Sequence, residues 1–578
     1  MKKVLTGKPS VDKPWMQYYP PELIDGLNVP NVTVCEYLKE HCPGDDVSAI
    51  HYYGNDISWR KLNGFVDRTA KALKAVGFGE GDQVPVFLRS VPEFIYLLLA
   101  AEKIGASLLC RDNTIEENAE AVRKSHSKVI FAHDFLSQKE LNIFRKIAAV
   151  EQIILIKPLQ SGIRSKTPDY CRKYINSLYP DHPAYGPCTM NWEEFLGLGD
   201  SYTGEVDAPK DIDRPLFRAY TSGSTGPSKQ VIHSAHTMLG AMHQMNFYGA
   251  SGEFRPTWLQ SILPPSLVAV VVAMVLLPLA SNKLLIQDPF VDVNDLDLEM
   301  MRYRPNCWPL IPMFIETIMR NGRIPDDYDM SHLISTGAGC EAYNNNQLKR
   351  AQKFLDDHTC KARFVAGYGC SEAGSNMALH MSQNPAGNGN VGVPMPLTVI
   401  SVFKPGTEEE LPYNTLGEIC QCGPGTMMGY DTKRETDIAI KVHSDGNKWL
   451  HTGDIGYMAE DGTLYALTRG SAPRFGGGDL ATLPMENLLA DANIEGIDDE
   501  FFVIIPDPDH HRCFVPYLFV ILSDGYTVDD IRAKVIDSLE DYMQPIDIIA
   551  LPERPFFHFK TNRIGLTNDI LSGKFDNN

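Results

Sequence analysis

Between Trp59 and Ala75 apolar residues recur at Leu62, Val66, Ala70 and Leu73, the spacing of an amphipathic helix. Residues 84–88 then read as a short strand, 93–104 as an apolar helix, and Ser107–Cys110 as the start of another strand. Residues 129–131 and 153–156 read as buried strands separated by a helix near 138–148. Such alternation predicts an α/β sheet covered by helices. Residues 159–212, rich in Pro, Tyr, Gly and charge, interrupt it and predict a loop-rich excursion. The alternation resumes after Val231. From about residue 390 short strands and turns take over, at Val399–Phe403, 417–421 and 465–467, predicting a smaller β-rich subdomain. From about 470 a compact α+β unit follows, with strands at 501–505 and 517–521 and a helix at 528–539.

Length and composition narrow this picture. A chain of 578 residues is too long for one ordinary core and implies two to four structural units. A hydrophobic content of 43% with 22% charged residues fits a soluble globular protein. The net charge of −20 argues against nucleic acid or an anionic membrane as partner, since both select basic surfaces. The 12 cysteines have no framework spacing, and Cys420 and Cys422 lack a second pair at zinc-site spacing. Cys171 and Cys188 flank the excursion and are candidates to pair; the scatter as a whole predicts reduced thiols in a cytoplasmic protein. The basic N-terminal start is not followed by the apolar stretch of a signal peptide. The longest apolar run, 267–280, falls short of the roughly 18–20 residues of a membrane span and contains Pro278. It predicts a buried helix, one face of which is a candidate wall for an acyl pocket.

The candidate chemistry begins at 221–229, TSGSTGPSK. Two glycines three residues apart let the backbone turn closely around a ligand. Ser222, Ser224 and Thr225 add hydroxyl donors, and successive backbone N–H groups can form an anion-binding concavity. Lys229 supplies a point charge suited to phosphate. A strand-like stretch at 217–220 precedes this segment and a helix-like stretch at 237–245 follows it. Taken alone it is as readily a flexible turn as a phosphate cradle.

The segments that follow remove the ambiguity. With them, 220–231, YTSGSTGPSKQV, resembles the phosphate loop of the adenylate-forming (ANL) superfamily of AMP-dependent ligases. These include acyl-CoA synthetases, luciferases and the adenylation domains of nonribosomal peptide synthetases. The resemblance runs from about residue 50 to 570, with Ser228 where the family has proline and Gln230 where it has glycine. It implies that Thr221, Ser222, Gly223, Ser224, Thr225, Gly226 and Lys229 cradle the phosphates of ATP. Residues 367–372, GYGCSE, resemble the family's YGxTE. That places Tyr368 and Gly369 against adenine, Ser371 on the α-phosphate and Glu372 on Mg2+, a hard cation that prefers carboxylate and phosphate oxygens. Residues 449–457, WLHTGDIGY, are similar to the TGD segment and assign Asp454 to the ribose hydroxyls, with Arg469 reaching the same sugar. The turn 337–341, GAGCE, places Gly337, Ala338 and Gly339 beside adenine, and 416–430 resembles a segment that maintains the fold.

The resemblance divides the chain into an adenylation domain, 1–468, with its β-rich subdomain at about 390–468, and a mobile C-terminal domain, 469–578. The second part departs from the pattern. Gly476–Gly478, Pro484 and Glu486 are retained, but Ser471 or Ala472 stands where the family has an acidic hinge residue. In 559–563, FKTNR, Lys560 aligns with the catalytic lysine and Phe559 replaces a glycine; a competing alignment puts Arg563 there.

The implied reaction joins a carboxylic acid to AMP and then transfers the acyl group to a thiol. Coenzyme A is the expected acceptor, with the phosphopantetheine of a separate acyl carrier protein as the alternative. An inactive homologue that binds nucleotide or acyl-AMP is a third reading. Residues 262–272, ILPPSLVAVVV, carry no acidic side chain to pair an α-ammonium, whose burial unpaired costs several kcal/mol. The acid expected is therefore fatty or aryl rather than an amino acid. Residues 13–20, KPWMQYYP, are also similar to the openings of some fatty acyl-CoA synthetases.

Overall fold

The computed structural model describes residues 5–575 apart from 21–22, 24–26, 181–185, 222–227, 247–253, 338, 365, 381–385, 470–473, 476–477, 480, 508–513 and 558. An eight-stranded sheet organises the N-terminal part. Its order is Gly429–Tyr430, Gln230–Ser234, Pro215–Tyr220, Ser107–Cys110, Gln83–Phe87, Val129–His133, Gln152–Ile156 and Thr189–Asn191. The last six strands are mutually parallel, and the first two join antiparallel. Val129–His133 is buried at every position, as a parallel strand covered on both faces must be. The predicted helix Trp59–Ala75 forms and buries Leu62, Val66, Ala70 and Leu73. Ser58 starts it by accepting the Lys61 N–H. A second, mixed sheet, in the order Thr257–Gln260, Leu284–Gln287, Ser48–Tyr52 and Asn55–Ser58, shares the same core.

Three expectations change here. The excursion 159–212 is structured, with helices Asp169–Leu178 and Trp192–Asp200 and the edge strand Thr189–Asn191. Each helix shows the core only a narrow stripe, Cys171 and Ile175 in one, Trp192, Phe195, Leu196 and Gly199 in the other, so polar residues dominate the local composition. Cys171 and Cys188 do not pair; all eleven described cysteines are free. The apolar run is buried and helical, but Val270–Leu276 is a wide π-type turn that passes into an α-turn at Leu277–Ala280. Pro278 is the second residue of that α-turn, directly after the π-type stretch. Among the described residues no helix is long and apolar enough to cross a membrane.

The β-rich part is an antiparallel sheet in the order Tyr368–Gly369, Asn376–Leu379, Asn390–Pro394, Leu464–Arg469, Lys448–Met458, Gly417–Cys422 and Val399–Phe403. It starts earlier than the expected boundary near 390, because the 368–379 hairpin is its edge. Val393, Ile400, Ile419, Leu450 and Leu464 form its core, with Trp15 and Tyr19 packed in from the N-terminal segment. In the small C-terminal α+β region Ile497–Pro506 and Phe514–Leu522 pair antiparallel, and Ile548–Ala550 adds in parallel. Alternate residues of these strands serve two cores: Phe502, Leu518 and Val520 on one face, Phe501, Val503 and Phe519 on the other.

Candidate active site

Pro215–Tyr220 and Gln230–Ser234 are antiparallel neighbours, so the segment between them must reverse the chain. Its mouth is closed by three hydrogen bonds. The Thr221 N–H donates to the Lys229 carbonyl (2.9 Å), the Lys229 N–H to Thr221 Oγ1 (3.0 Å), and Ser228 Oγ to the Thr221 carbonyl (2.6 Å). Ser228 thus clamps the loop at the position where the family has proline. Below the mouth, Gln230 Nε2 donates to the Tyr220 hydroxyl (3.1 Å), and the Arg111 guanidinium covers the Tyr220 ring at 4.3 Å. Ser222, Gly223, Ser224, Thr225 and Gly226 lie outside the described residues.

Lys229 Nζ stands 4.9 Å from the centre of the Tyr430 ring. The Tyr430 hydroxyl donates to Glu372 Oε1 (2.8 Å), so one side chain ties the loop lysine to the expected magnesium ligand. Glu372 and Ser371 sit in a short 3-10 turn whose backbone is held on both sides. The Glu372 carbonyl accepts from the Met427 N–H (2.8 Å), and the Ser371 carbonyl accepts from His233 Nε2 (2.7 Å). A carbonyl only accepts, so His233 carries its proton on Nε2, and Nδ1 accepts from the Thr237 hydroxyl (3.0 Å). Burial lowers His233 to about 4, against the opposing effects of the Ser371 bond and the Glu372 charge, so the ring is neutral.

The expected nucleoside end lies on the neighbouring sheet. The Tyr368 hydroxyl donates to Asp454 Oδ2 (2.6 Å), and desolvation together with the Asp454 charge pushes that hydroxyl far above the usual tyrosine range, keeping it a donor. The Asp454 N–H donates to Thr452 Oγ1 (3.0 Å), which donates to the Ile419 carbonyl (2.7 Å). Glu418 accepts the Gly453 N–H on Oε1 (3.2 Å), while His451 Nδ1 holds Oε2 (2.9 Å). Arg469 is the cross-strand backbone partner of Asp454. Gly339 lies beside the strand of Tyr368, with a β-carbon placed on it 3.9 Å from the Gly367 carbonyl oxygen. Gly337 flanks it, and Ala338 lies outside the described residues.

The C-terminal region approaches this turn with the hairpin of Phe556–Phe557 and Lys560–Thr561. The Thr561 N–H donates to Glu341 Oε2 (3.0 Å), which brings the backbone next to Lys560 to the 337–341 turn. Arg563 is engaged through all three arms of its guanidinium. Its Nη1 donates to Glu341 Oε1 (2.7 Å), Nη2 to Glu486 Oε1 (2.9 Å) and Nε to the Phe502 carbonyl (3.1 Å). Phe559 takes a left-handed φ of 64°, which a glycine adopts without strain, and meets Phe314 edge to face at 6.3 Å.

The expected residues that are described therefore fall along one seam between the two large sheets and the C-terminal region. Tyr430, His233 and Glu341 are functional candidates that sequence reasoning did not assign. Segment 416–430 was expected only to maintain the fold. Glu418 fits that expectation, but Tyr430 reaches both Lys229 and Glu372. The partners of Glu341 lie more than two hundred residues away, so no local pattern announces it.

The chain is similar to known proteins in sequence and in fold. Residues 39–431 match the family described as AMP-binding enzyme. A long-chain-fatty-acid–CoA ligase of Bacillus subtilis is 26% identical over 535 residues, covering 89% of this chain and 90% of the relative. 4-Coumarate–CoA ligase 3 of Arabidopsis thaliana is 24% identical over 521 residues, covering 87% and 85%. The ATP-bound crystal structure of MatB from Rhodopseudomonas palustris superposes with a TM-score of 0.75 at 19% identity, over 94% of this chain and 99% of that one.

Proposed function

The chain belongs to the AMP-binding enzyme family, and on that premise we propose that it activates a carboxylic acid with ATP and passes the acyl group to coenzyme A. In the first step a carboxylate oxygen of the acid attacks the α-phosphorus of ATP, and pyrophosphate leaves with the bonding electron pair. In the second, the thiolate of coenzyme A attacks the acyl carbon and AMP leaves. The observation that carries this reading is the arrangement around Tyr430, where a cation for phosphate, Lys229, and a carboxylate, Glu372, share one ring and its hydroxyl.

Glu372 is a hard oxygen ligand, engaged among the described residues by Tyr430 at Oε1, which fits Mg2+; the ion would neutralise phosphate charge. Thr221, Ser228 and Lys229 draw the two ends of the 221–229 segment together, and we assign the β- and γ-phosphates to that segment. Tyr368 offers a ring to adenine and Asp454 a carboxylate able to accept two ribose hydroxyls. Lys560 is the preferred catalytic lysine. Its neighbour Thr561 is bonded to Glu341 of the 337–341 turn, whereas all three arms of the Arg563 guanidinium are engaged by protein acceptors. Lys560 would stabilise the negative charge that develops as the acid meets the α-phosphate.

The acid we favour is fatty or aryl. The π-turn Val270–Leu276 packs against the helix Ala235–His243, which follows the phosphate loop, and residues 262–272 offer no carboxylate to an ammonium. The relatives' names, a fatty-acid ligase and a coumarate ligase, point to the same two classes. The test is acid-dependent ATP–pyrophosphate exchange over a panel of fatty, aryl and amino acids, followed by addition of coenzyme A or a purified carrier protein. ATP binding without exchange for any acid would refute the proposal in favour of a nucleotide-binding homologue. Transfer to the carrier protein alone would replace the acceptor.

A further inference from the structure

The hairpin that carries Lys560 is tied to the N-terminal part through the carboxylate of Glu341. Glu341 Oε2 accepts the Thr561 N–H (3.0 Å) and Oε1 accepts Arg563 Nη1 (2.7 Å), so it grips the residues one and three places after Lys560. Thr561 is held from its other side as well. Its Oγ1 accepts Arg554 Nη1 (3.1 Å), and Arg554 is locked on Asp499 through Nε (2.7 Å) and Nη2 (2.8 Å). Arg563 spans the seam, sharing its fork between Glu341 on one side and Glu486 on the other. Phe559, immediately before Lys560, sets its ring edge to face on Phe314 and packs against the N-terminal core.

Other polar contacts cross this seam. Asn344 Nδ2 donates to Glu500 Oε1 (3.2 Å), the Asn345 N–H to Asn487 Oδ1 (2.8 Å), and Arg320 pairs with Glu553 (3.1 Å). Asn344, Asn345, Asn487 and Glu500 are buried as well, so their bonds also hold the seam. Among the described polar contacts across the seam Glu341 is the one that reaches the residue next to Lys560. Its side chain is only 10% exposed, so its bonds act in a medium of low dielectric. Desolvation alone would raise its carboxyl, yet Arg563, Arg554 and the Thr561 amide together hold it below the ordinary glutamate range.

We infer that Glu341 is a positioning residue for the adenylation step: with Phe559 on Phe314 it latches the C-terminal region so that Lys560 stays at the nucleotide turn. The inference rests on the adenylation reading for its consequence, though not for the latch itself. Release of Glu341 frees the hairpin; in the proposed chemistry the acid is already joined to the α-phosphate when acyl transfer begins, so that step makes no demand on a group that brings the two together.

Two variants of the full chain test this, Glu341→Gln and Phe559→Gly. The second removes a left-handed phenylalanine and so carries little risk of misfolding. In Glu341→Gln, hydrogen–deuterium exchange at the Thr561 amide should quicken roughly tenfold or more, the scale of one charge-assisted hydrogen bond. Unchanged exchange there overturns the latch whether or not the protein is active. In single turnover, both variants should slow pyrophosphate release with acid and ATP by about tenfold or more. Thioester formation from supplied acyl-adenylate and coenzyme A should stay within about twofold, and Glu341→Asp should recover part of the first step. Equal slowing of both half-reactions, or of neither, overturns the positioning role. A wild-type chain that releases no pyrophosphate with any acid would defeat the adenylation reading instead, and the exchange measurement would still decide the latch.

Discussion

Replacing Gly369 by alanine should sever the nucleoside end of the site without touching a polar group. A β-carbon there would lie 2.0 Å from the Ser375 carbonyl oxygen and 2.9 Å from the Asn376 α-carbon. Ordinary contact needs about 3.5 Å, so the 368–379 hairpin has to open by roughly 1.5 Å. Both obstructing atoms are backbone, so no side chain can swing aside. Tyr368, the preceding residue, moves with the strand, and its 2.6 Å bond to Asp454 cannot survive that displacement. A hydrogen bond to a charged acceptor contributes about 1.5–3 kcal/mol, which corresponds to a 10- to 100-fold change in an equilibrium constant. Gly369→Ala should therefore raise the KM for ATP in pyrophosphate exchange by roughly that factor, with the acid KM altered much less. Titration with a fluorescent ATP analogue should show the same loss, and a melting curve would establish that the protein is still folded. A folded Gly369→Ala protein with wild-type affinity for ATP would refute the placement of Tyr368 and Asp454 at the nucleotide.

Lys560→Ala should lower exchange by about 100-fold or more while ATP binding persists, as expected for a group acting on developing charge. Arg563→Ala should instead act on stability, costing about 3–5 kcal/mol in urea unfolding because Glu341 and Glu486 lose a shared partner. If the two variants exchanged these phenotypes, the alignment of Lys560 would be wrong. Tyr430→Phe keeps the ring under Lys229 but removes the donor to Glu372. It should shift the Mg2+ dependence of exchange, and an unchanged magnesium titration would count against Glu372 as the ligand. His233 titrates near 4 when folded but near 6.5 when unfolded, so below about 6.5 the unfolded chain takes up a proton that the native one refuses. Its contribution, about 3 kcal/mol at most, is present above pH 6.5 and lost as the pH falls towards 4. Comparison of wild-type and His233→Gln unfolding across that range should show the wild type losing the steeper share.

Much of the molecule follows from local pattern. The helix at Trp59–Ala75 buries one face at the helical period, and the parallel strands at 83–87 and 129–133 and the antiparallel strands at 399–403 and 497–506 each contain a short run of consecutive buried residues. The segments 221–229, 367–372 and 449–457 stand out in the sequence through their resemblance to the family's motifs, and their roles at phosphate, adenine and ribose are the proposed reading. The excursion at 159–212 was not legible, since its helices expose most of their surface and bury only a few residues each. What only the tertiary structure decided are the contacts between runs. Sequence separation says nothing about Tyr430 lying between Lys229 and Glu372, about His233 meeting the Ser371 carbonyl, or about Glu341 gripping the strand beside Lys560. A hydrogen bond requires its partners within about 3 Å in space, and sheets formed from distant segments bring such pairs together only once the chain is folded.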